Sequence, residues 1–270
     1  MQVYRGLDVG TAKPSPAERA AVPHHAVDLV DPSEEWSAMC HQATARAAVA
    51  DIEGRGKRAL LVGGTGLYVQ AVIDDLRFPS EDPDLRAELE AWTAEPGGVA
   101  AAYDELRRRD PDAAAKIDPH NARRIVRALE VIRLTGKQFS SFGPGLDQFG
   151  PTAFSVEMIG VWVPRDALNA RIAARFAAMR EAGLVDEVER LLDGPPLSRT
   201  AAQAIGYREI IAALSGDGSL DDAFDTAVRR TRSFARRQRM WFRRDPRITW
   251  LGVVDNPCAV LPTLLATCGS

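Results

Sequence analysis

Residues 58–68 read RALLVGGTGLY. The apolar run Ala59 to Val62 leads into Gly63-Gly64-Thr65-Gly66, and a helical pattern starts at Leu67. Strand, tight glycine turn and helix make one βα unit of a parallel sheet, so the stretch predicts a buried strand over 58–62 and an α/β class. Glycines at the carboxyl end of a strand let a ligand approach backbone N–H groups at a helix N-terminus. They also serve a tight turn that binds nothing, and the four residues leave both readings open. Thr65 could cap the helix, contact a ligand, or do both.

Outward from this unit, Ala26–Val30 is a short apolar strand candidate, and Ser37 caps a helix running to Glu53. From Asp82-Pro83 to about Gly136 the texture is charged and helical, broken at 95–98, Asp110-Pro111 and Asp118-Pro119. This predicts a helical insertion over 81–150, with the α/β core made of 1–80 and 151–270. Ser140–Pro151 reads as loop and 156–163 as a returning strand. Helices are expected at about 166–193, 203–215 and 220–243, and Ile248–Leu251 as a last strand.

The 270 residues hold 46% hydrophobic and 26% charged residues, ample for a core. No apolar run is long enough to span a membrane. Cys40, Cys258 and Cys268 are few and unclustered, which favours a reducing, cytoplasmic setting and argues against a disulfide framework. The four histidines make no ligand pattern with them, so no metal cage held by protein side chains is expected. The stretch Gly6–Pro14, GLDVGTAKP, has the glycines and lysine of a phosphate loop. A Walker loop, however, needs GxxxxGK[ST] opening a helix. Here two residues separate Gly10 from Lys13, and Pro14 disfavours a helical conformation at the lysine. No such loop occurs elsewhere in the sequence.

The net charge of −3 conceals a local excess: nine arginines lie between Arg229 and Arg247. Arg229, Arg232, Arg236, Arg239 and Arg243 step by three and four residues and form one helical stripe. Phe224, Val228, Thr231, Ala235 and Phe242 form a neighbouring, largely apolar stripe that faces the core. No acid lies between Asp225 and Asp245, so an intrahelical ladder of ion pairs does not account for the arginines. Guanidinium forks suit phosphate oxygens, and the stripe points to nucleic-acid backbone, with a merely solvated face as the alternative. Arg123, Arg124 and Arg127 lie on a second helix whose apolar side is Ile125, Ala128, Leu129 and Ile132.

Six blocks in order carry a resemblance: MQVYRGLDVGTAKP, VPHHAVDLVDP, LLVGGTGLY, NARRIVRALEVIRLTGK, AIGYREI and FARRQRMWFRR. The chain resembles the tRNA dimethylallyltransferases, also called isopentenyl-pyrophosphate:tRNA transferases, over nearly its whole length. The resemblance implies a nucleotide-binding (ATP-binding type), P-loop-kinase-like parallel-sheet core with an inserted helical subdomain that grips the tRNA anticodon stem-loop. It implies transfer of a dimethylallyl group from dimethylallyl diphosphate to N6 of the adenosine 3′ of the anticodon, with Mg2+ accompanying the diphosphate and the base flipped out. A monomer is expected.

Residue by residue, Met1 and Gln2 resemble the end of the motif that meets the target nucleotide. Thr65 resembles a threonine at the reaction channel that also contacts tRNA, and Arg86 resembles a further tRNA contact. Arg123, Arg124 and Arg127 match an RNA-contacting block. So do Gln203, Gly206, Tyr207 and Arg208, and Arg236, Arg237, Gln238, Arg239, Trp241 and Arg243. Arg171 and Arg175 resemble arginines near the diphosphate, Arg175 with a catalytic role. In the family a phosphate loop and a catalytic aspartate precede the Met-Gln block. The resemblance thus implies a first strand, loop and base upstream of Met1 and poor transfer by these residues alone. The alternative is a tRNA-binding remnant without catalysis. An oxidoreductase reading of GGTG lacks the GxGxxG it needs.

Overall fold

A computed structural model describes residues 1–74, 76–142, 146, 148–254 and 256–268, the side chains of 267 and 268 excepted. In chain order come α1 (Pro16–Ala21), α2 (Ala38–Gly54), α3 (Gly66–Ile73), α4 (Pro83–Ala94), α5 (Gly98–Arg109), α6 (Pro111–Lys116) and α7 (Ala122–Thr135). There follow β1 (Met158–Trp162), α8 (Arg165–Glu181), α9 (Leu184–Leu192), α10 (Arg199–Ala202), α11 (Tyr207–Leu214), α12 (Leu220–Phe242), β2 (Ile248–Gly252) and α13 (Leu261–Cys268). Two compact units divide them, Met1–Ile73 with Thr152–Ser270, and Asp74–Pro151.

In the first unit β1 and β2 pair in parallel, Met158 opposite Ile248 through Trp162 opposite Gly252. The chain between them returns through α8 to α12, as a parallel crossover requires. Their core gathers Ile172 and Phe176 of α8, Leu184 and Val188 of α9, Ile210 of α11 and Phe224 of α12 around Tyr4 and Leu7, which are 0% and 1% exposed. The α/β class therefore holds, with a small parallel sheet among many helices.

Four expectations are corrected. Residues 58–62 are neither strand nor buried: Leu60 and Val62 are 79% and 82% exposed. A strand exists only as a partner in a ladder, and no described residue pairs with this one. Ala26–Val30 reduces to a single parallel bridge, Tyr4 to Val30, because Ala26 and Asp28 adopt φ of 58° and 54° and break the extended run. The helix expected over 166–193 divides at Gly183, whose φ of 88° is left-handed and ends an α-helix. That over 203–215 starts only at Tyr207, because residues 203–206 form a turn that ends at Gly206, φ 96°. The loop Ser140–Pro151 opens with a 3-10 turn at Phe139–Phe142, and its residues 143–145 and 147 lie outside the described ones.

The second unit is helical. Asp82 and Asp110, each before a proline, are N-caps: Asp82 accepts the N–H of Asp84 and Leu85, Asp110 that of Ala113. α7 buries Ile125, Leu129 and Ile132 against Leu89 of α4 and Leu106 of α5, each side chain contributing about 1.5–3 kcal/mol.

At the centre sits Glu130, fully buried, which accepts the N–H of Asp82 at 2.9 Å, Arg86 Nη2 at 2.9 Å and Arg127 Nη1 at 2.7 Å. Burial pushes its acidity toward the neutral form. The hydrogen bonds from Arg127, the Asp82 amide and Arg86 outweigh burial and hold the carboxyl below its ordinary 4.5. A depressed carboxyl stabilises the fold above its unfolded value and loses that contribution as pH falls through the folded one. The wild-type second unit should therefore weaken on acidification below pH 4.5, read by amide exchange in α4 and α7. Glu130→Gln should cost about 3 kcal/mol at neutral pH and flatten that acid response. An unchanged acid profile in the variant would contradict this account.

Candidate nucleic-acid interface

α12 starts at the cap Ser219, whose hydroxyl accepts the Asp222 N–H, with Asp221 and Asp222 in the first turn. Its apolar stripe faces the core as expected: Ala223, Phe224 and Ala227 are buried, and Val228 and Ala235 pack against the same cluster. This orientation fixes where the basic stripe points. Arg229, Arg232, Arg236 and Arg243 are exposed, as is Arg237 beside them, and no acid pairs with any of these five among the described residues.

Arg239 differs from its neighbours. It is half-buried, donates to the Val163 carbonyl at 2.7 Å and lies 3.8 Å over the Trp162 ring, so the stripe is anchored to the end of β1. Arg243 lies 6.0 Å from the same ring.

The carboxyl half of α12 meets the GGTG turn. Gln238 Nε2 donates to the Gly64 carbonyl at 2.6 Å. A Cβ on Gly64 would stand 1.8 Å from Gln238 Nε2, and one on Gly66 2.3 Å from Trp241 Cδ1. The glycines are thus required by packing: two side chains of α12 occupy the volume that larger residues would fill. Thr65, between them, is exposed. Its carbonyl accepts the N–H of Tyr68 and Val69, starting α3, while its hydroxyl makes no hydrogen bond among the described residues. The side chain does not cap the helix and is free for a ligand. Gln238 and Trp241 are brought to Thr65, with Arg236, Arg237 and Arg243 on the same stretch of helix.

The N-terminal loop is a second, distinct construction. Lys13 Nζ is buried and donates to the Tyr4 carbonyl at 2.7 Å and to Asp8 and Asp28 at 2.5 and 2.6 Å, so it is not a phosphate ligand. Burial works against the Asp28 charge, but the hydrogen bonds from Lys13 and Arg19 hold its carboxyl below the usual range. Gln2 Nε2 donates to the Thr11 and Ala12 carbonyls, both at 3.0 Å, and Met1 is exposed. The N–H groups of Asp8, Val9 and Gly10 converge on the carboxylate of Glu187.

Other expected contacts have internal partners. Tyr207 is 1% exposed and its hydroxyl donates to Glu187 at 2.5 Å. Burial, then that hydrogen bond, pushes the phenol well above its ordinary value. Such a side chain holds the fold and offers nothing to an RNA arriving from solvent. Gly206 donates its N–H to buried Glu209, which also accepts Arg230. Arg208 donates to Gln203 at 2.8 Å. Arg171 and Arg175 project from the exposed side of α8, unpaired among the described residues. In the second unit Arg86 and Arg127 are engaged by Glu130, leaving Arg123 and Arg124 exposed on the first turn of α7. Glu187, Glu209 and Glu130 carry no signal in the sequence beyond ordinary helical charge. Only Glu209, three residues after Gly206, has the spacing of a helix-start motif.

The class this fold and site define is an α/β protein with an exposed basic helix face locked onto a glycine turn. The family model described as IPP transferase matches residues 2–245. The chain is 51% identical over 257 residues to a tRNA dimethylallyltransferase of Kineococcus radiotolerans, covering 95% of this chain and 80% of that protein. It is 46% identical over 265 residues to one of Bifidobacterium longum, covering 96% and 79%. Among solved structures, the full-length tRNA isopentenylpyrophosphate transferase of Bacillus halodurans matches with a TM-score of 0.69 and 40% identity, over 99% of this chain and 84% of that one. A eukaryotic dimethylallyltransferase described as acting on tRNA matches with a TM-score of 0.77 and 26% identity, over 100% and 71%. The chain belongs to the IPP transferase family.

Gly66→Ala should displace Trp241 and part the turn from α12. We expect a loss of about 1–3 kcal/mol for the overpacking and weaker RNA binding at temperatures where the protein stays folded. Gly54→Ala, whose added carbon meets nothing within 4 Å, is the control. Equal melting and equal RNA affinity in both variants would show that the packing does not matter.

Proposed function

We propose that this protein modifies tRNA, transferring a dimethylallyl group from dimethylallyl diphosphate to N6 of the adenosine 3′ of the anticodon. The observation that carries the reading is the junction of Gln238 and Trp241 with the GGTG turn, in a chain of this family. It sets the exposed Thr65 hydroxyl beside a helix bearing unpaired arginines. The family's relatives, matched over about four-fifths of their length, are named as transferases, which favours transfer over RNA binding without chemistry.

In this reading the core is P-loop-kinase-like. Arg236, Arg237 and Arg243 take RNA phosphates, and Arg123 and Arg124 offer a further grip from the helical unit. In the reaction the N6–carbon bond forms as the carbon–oxygen bond to diphosphate breaks, and the amine loses a proton. Arg171 and Arg175 neutralise the departing diphosphate, an electrostatic contribution made in the transition state. No cluster of three or more His, Cys, Asp or Glu side chains able to hold a metal occurs among the described residues. The magnesium ion enters this proposal as part of the diphosphate substrate. No helix among them is long and apolar enough to cross a membrane.

An anticodon stem-loop should bind with an affinity that falls steeply with salt, by about 0.7–0.9 in log–log slope for each phosphate contact. Arg236→Ala with Arg243→Ala should lower that slope by about two, and Arg123→Ala with Arg124→Ala should act independently. Transfer is read as label passing from dimethylallyl diphosphate into tRNA with the protein isolated from its own cells. Salt-insensitive binding that ignores both pairs of substitutions, with no label transferred, would reject the proposal.

A further inference from the structure

The sequence GLDVGTAKP has the composition of a phosphate-binding loop, and its geometry is that of one already filled. The N–H of Val9 points at Glu187 Oε2 at 2.8 Å and that of Asp8 at 3.1 Å, while the Gly10 N–H reaches Oε1 at 3.2 Å. Tyr207 donates a fourth hydrogen bond to Oε1. Glu187 is 2% exposed. Consecutive amides converging on one anion form a nest, the device by which backbones hold phosphates; here the anion comes from α9 of the same chain. Gly10 is required by the same arrangement, since a Cβ there would stand 2.5 Å from the Tyr207 ring.

The nest does not act alone on this loop. Lys13 ties Asp8 to Asp28 and to the Tyr4 carbonyl, and Gln2 clasps the Thr11 and Ala12 carbonyls. Residues 1–13 are thereby clamped by a lysine within the loop and a carboxylate from outside it. Among the described residues this buried carboxylate meets four donors and no cation, an uncommon way to bury a charge.

We propose that Glu187 is a positioning residue. Its carboxylate fills the amide nest of Asp8–Gly10 and so holds in place the Met1–Lys13 loop, whose Met1 and Gln2 resemble the end of the family motif that meets the target nucleotide. The inference rests on the functional reading above. The loop is set by a neighbouring helix rather than by bound phosphate, and is therefore formed before RNA arrives.

The test uses a stem-loop RNA with 2-aminopurine in place of the target adenosine, a base that brightens when extruded from its stack. With wild type we expect a rise at saturating protein. Glu187→Ala should lower that saturated rise and weaken binding by about tenfold to a hundredfold. Sodium acetate, replacing chloride at constant ionic strength, should restore both by supplying the missing carboxylate. Glu187→Gln should fall between wild type and Ala, because its amide oxygen still accepts the Asp8 and Val9 N–H while its NH2 faces the Gly10 N–H. Tyr207→Phe, which removes one of the four hydrogen bonds without opening a cavity, should give an intermediate amplitude.

A wild-type amplitude in the Ala or Gln variant overturns the proposal. So does acetate that raises the melting temperature of Glu187→Ala while leaving its 2-aminopurine signal depressed, since the anion would then be structural only. If Glu187→Ala does not fold, Tyr207→Phe decides, and a wild-type amplitude there overturns it as well. Wild-type protein that binds no RNA removes the functional reading and the positioning role together. Acetate stabilisation of Glu187→Ala in a melting curve would still report the nest, so the two failures are distinguishable.

Discussion

The candidate site depends on one contact, that of Gln238 and Trp241 with Gly64 and Gly66. Without Cβ atoms at the two glycines, the turn opens a recess that an amide and an indole fill, and the hydrogen bond to the Gly64 carbonyl fixes the register of α12. Everything that gives the surface its character follows from that register. The core face of the helix takes Phe224 and Ala227 inward, Arg239 lies on Trp162 at the end of β1, and Arg236 and Arg243 are left in solvent beside an exposed threonine. Shape complementarity sets the position and charge then uses it; the arginines themselves contribute little to holding the fold.

Buried carboxylates supply the remaining rigidity. Glu130 joins the start of α4 to α7 through Arg86 and Arg127. Glu187 gathers the amides of the N-terminal loop, and Glu209 gathers the Gly206 amide and Arg230. All three are at most 6% exposed, where an unpaired charge would be very costly. Each is matched by several donors drawn from different parts of its own unit. An acid that unites separate segments specifies one arrangement among many that apolar packing alone would tolerate.

Much of this was legible in the sequence where local chemistry dominates. Asp82-Pro83 marked the start of the helical stretch and Asp110-Pro111 a break within it, and Asp82 and Asp110 are N-caps. The three-and-four spacing of Arg229 to Arg243 gave the exposed stripe, and its apolar companion gave the buried face. What local chemistry does not determine was misread. RALLV has the short apolar run, bounded by glycines, that a buried strand shows, yet strand formation depends on a neighbour, and here Leu60 and Val62 face solvent. Arg239, Tyr207 and Arg127 carry the same residue types as true surface contacts, but Trp162, Glu187 and Glu130 engage them. Those partners lie 77, 20 and 3 residues away, and only the last lies within the reach of a helical pattern. The glycines of GGTG were visible as a turn; that they make room for Gln238 and Trp241, more than 170 residues later, was not.

The central claim is that the GGTG turn and the carboxyl half of α12 form a single RNA-facing site. Photo-cross-linking tests it most directly, using an anticodon stem-loop with 8-azidoadenosine at the position 3′ of the anticodon and peptide mapping of the adducts. The account predicts adducts on the segment around Thr65 and on the segment from Arg236 to Arg243 in the same preparation, both abolished by unlabelled stem-loop. Adducts confined to the helical unit Asp74–Pro151, with none on either of these segments, would contradict it.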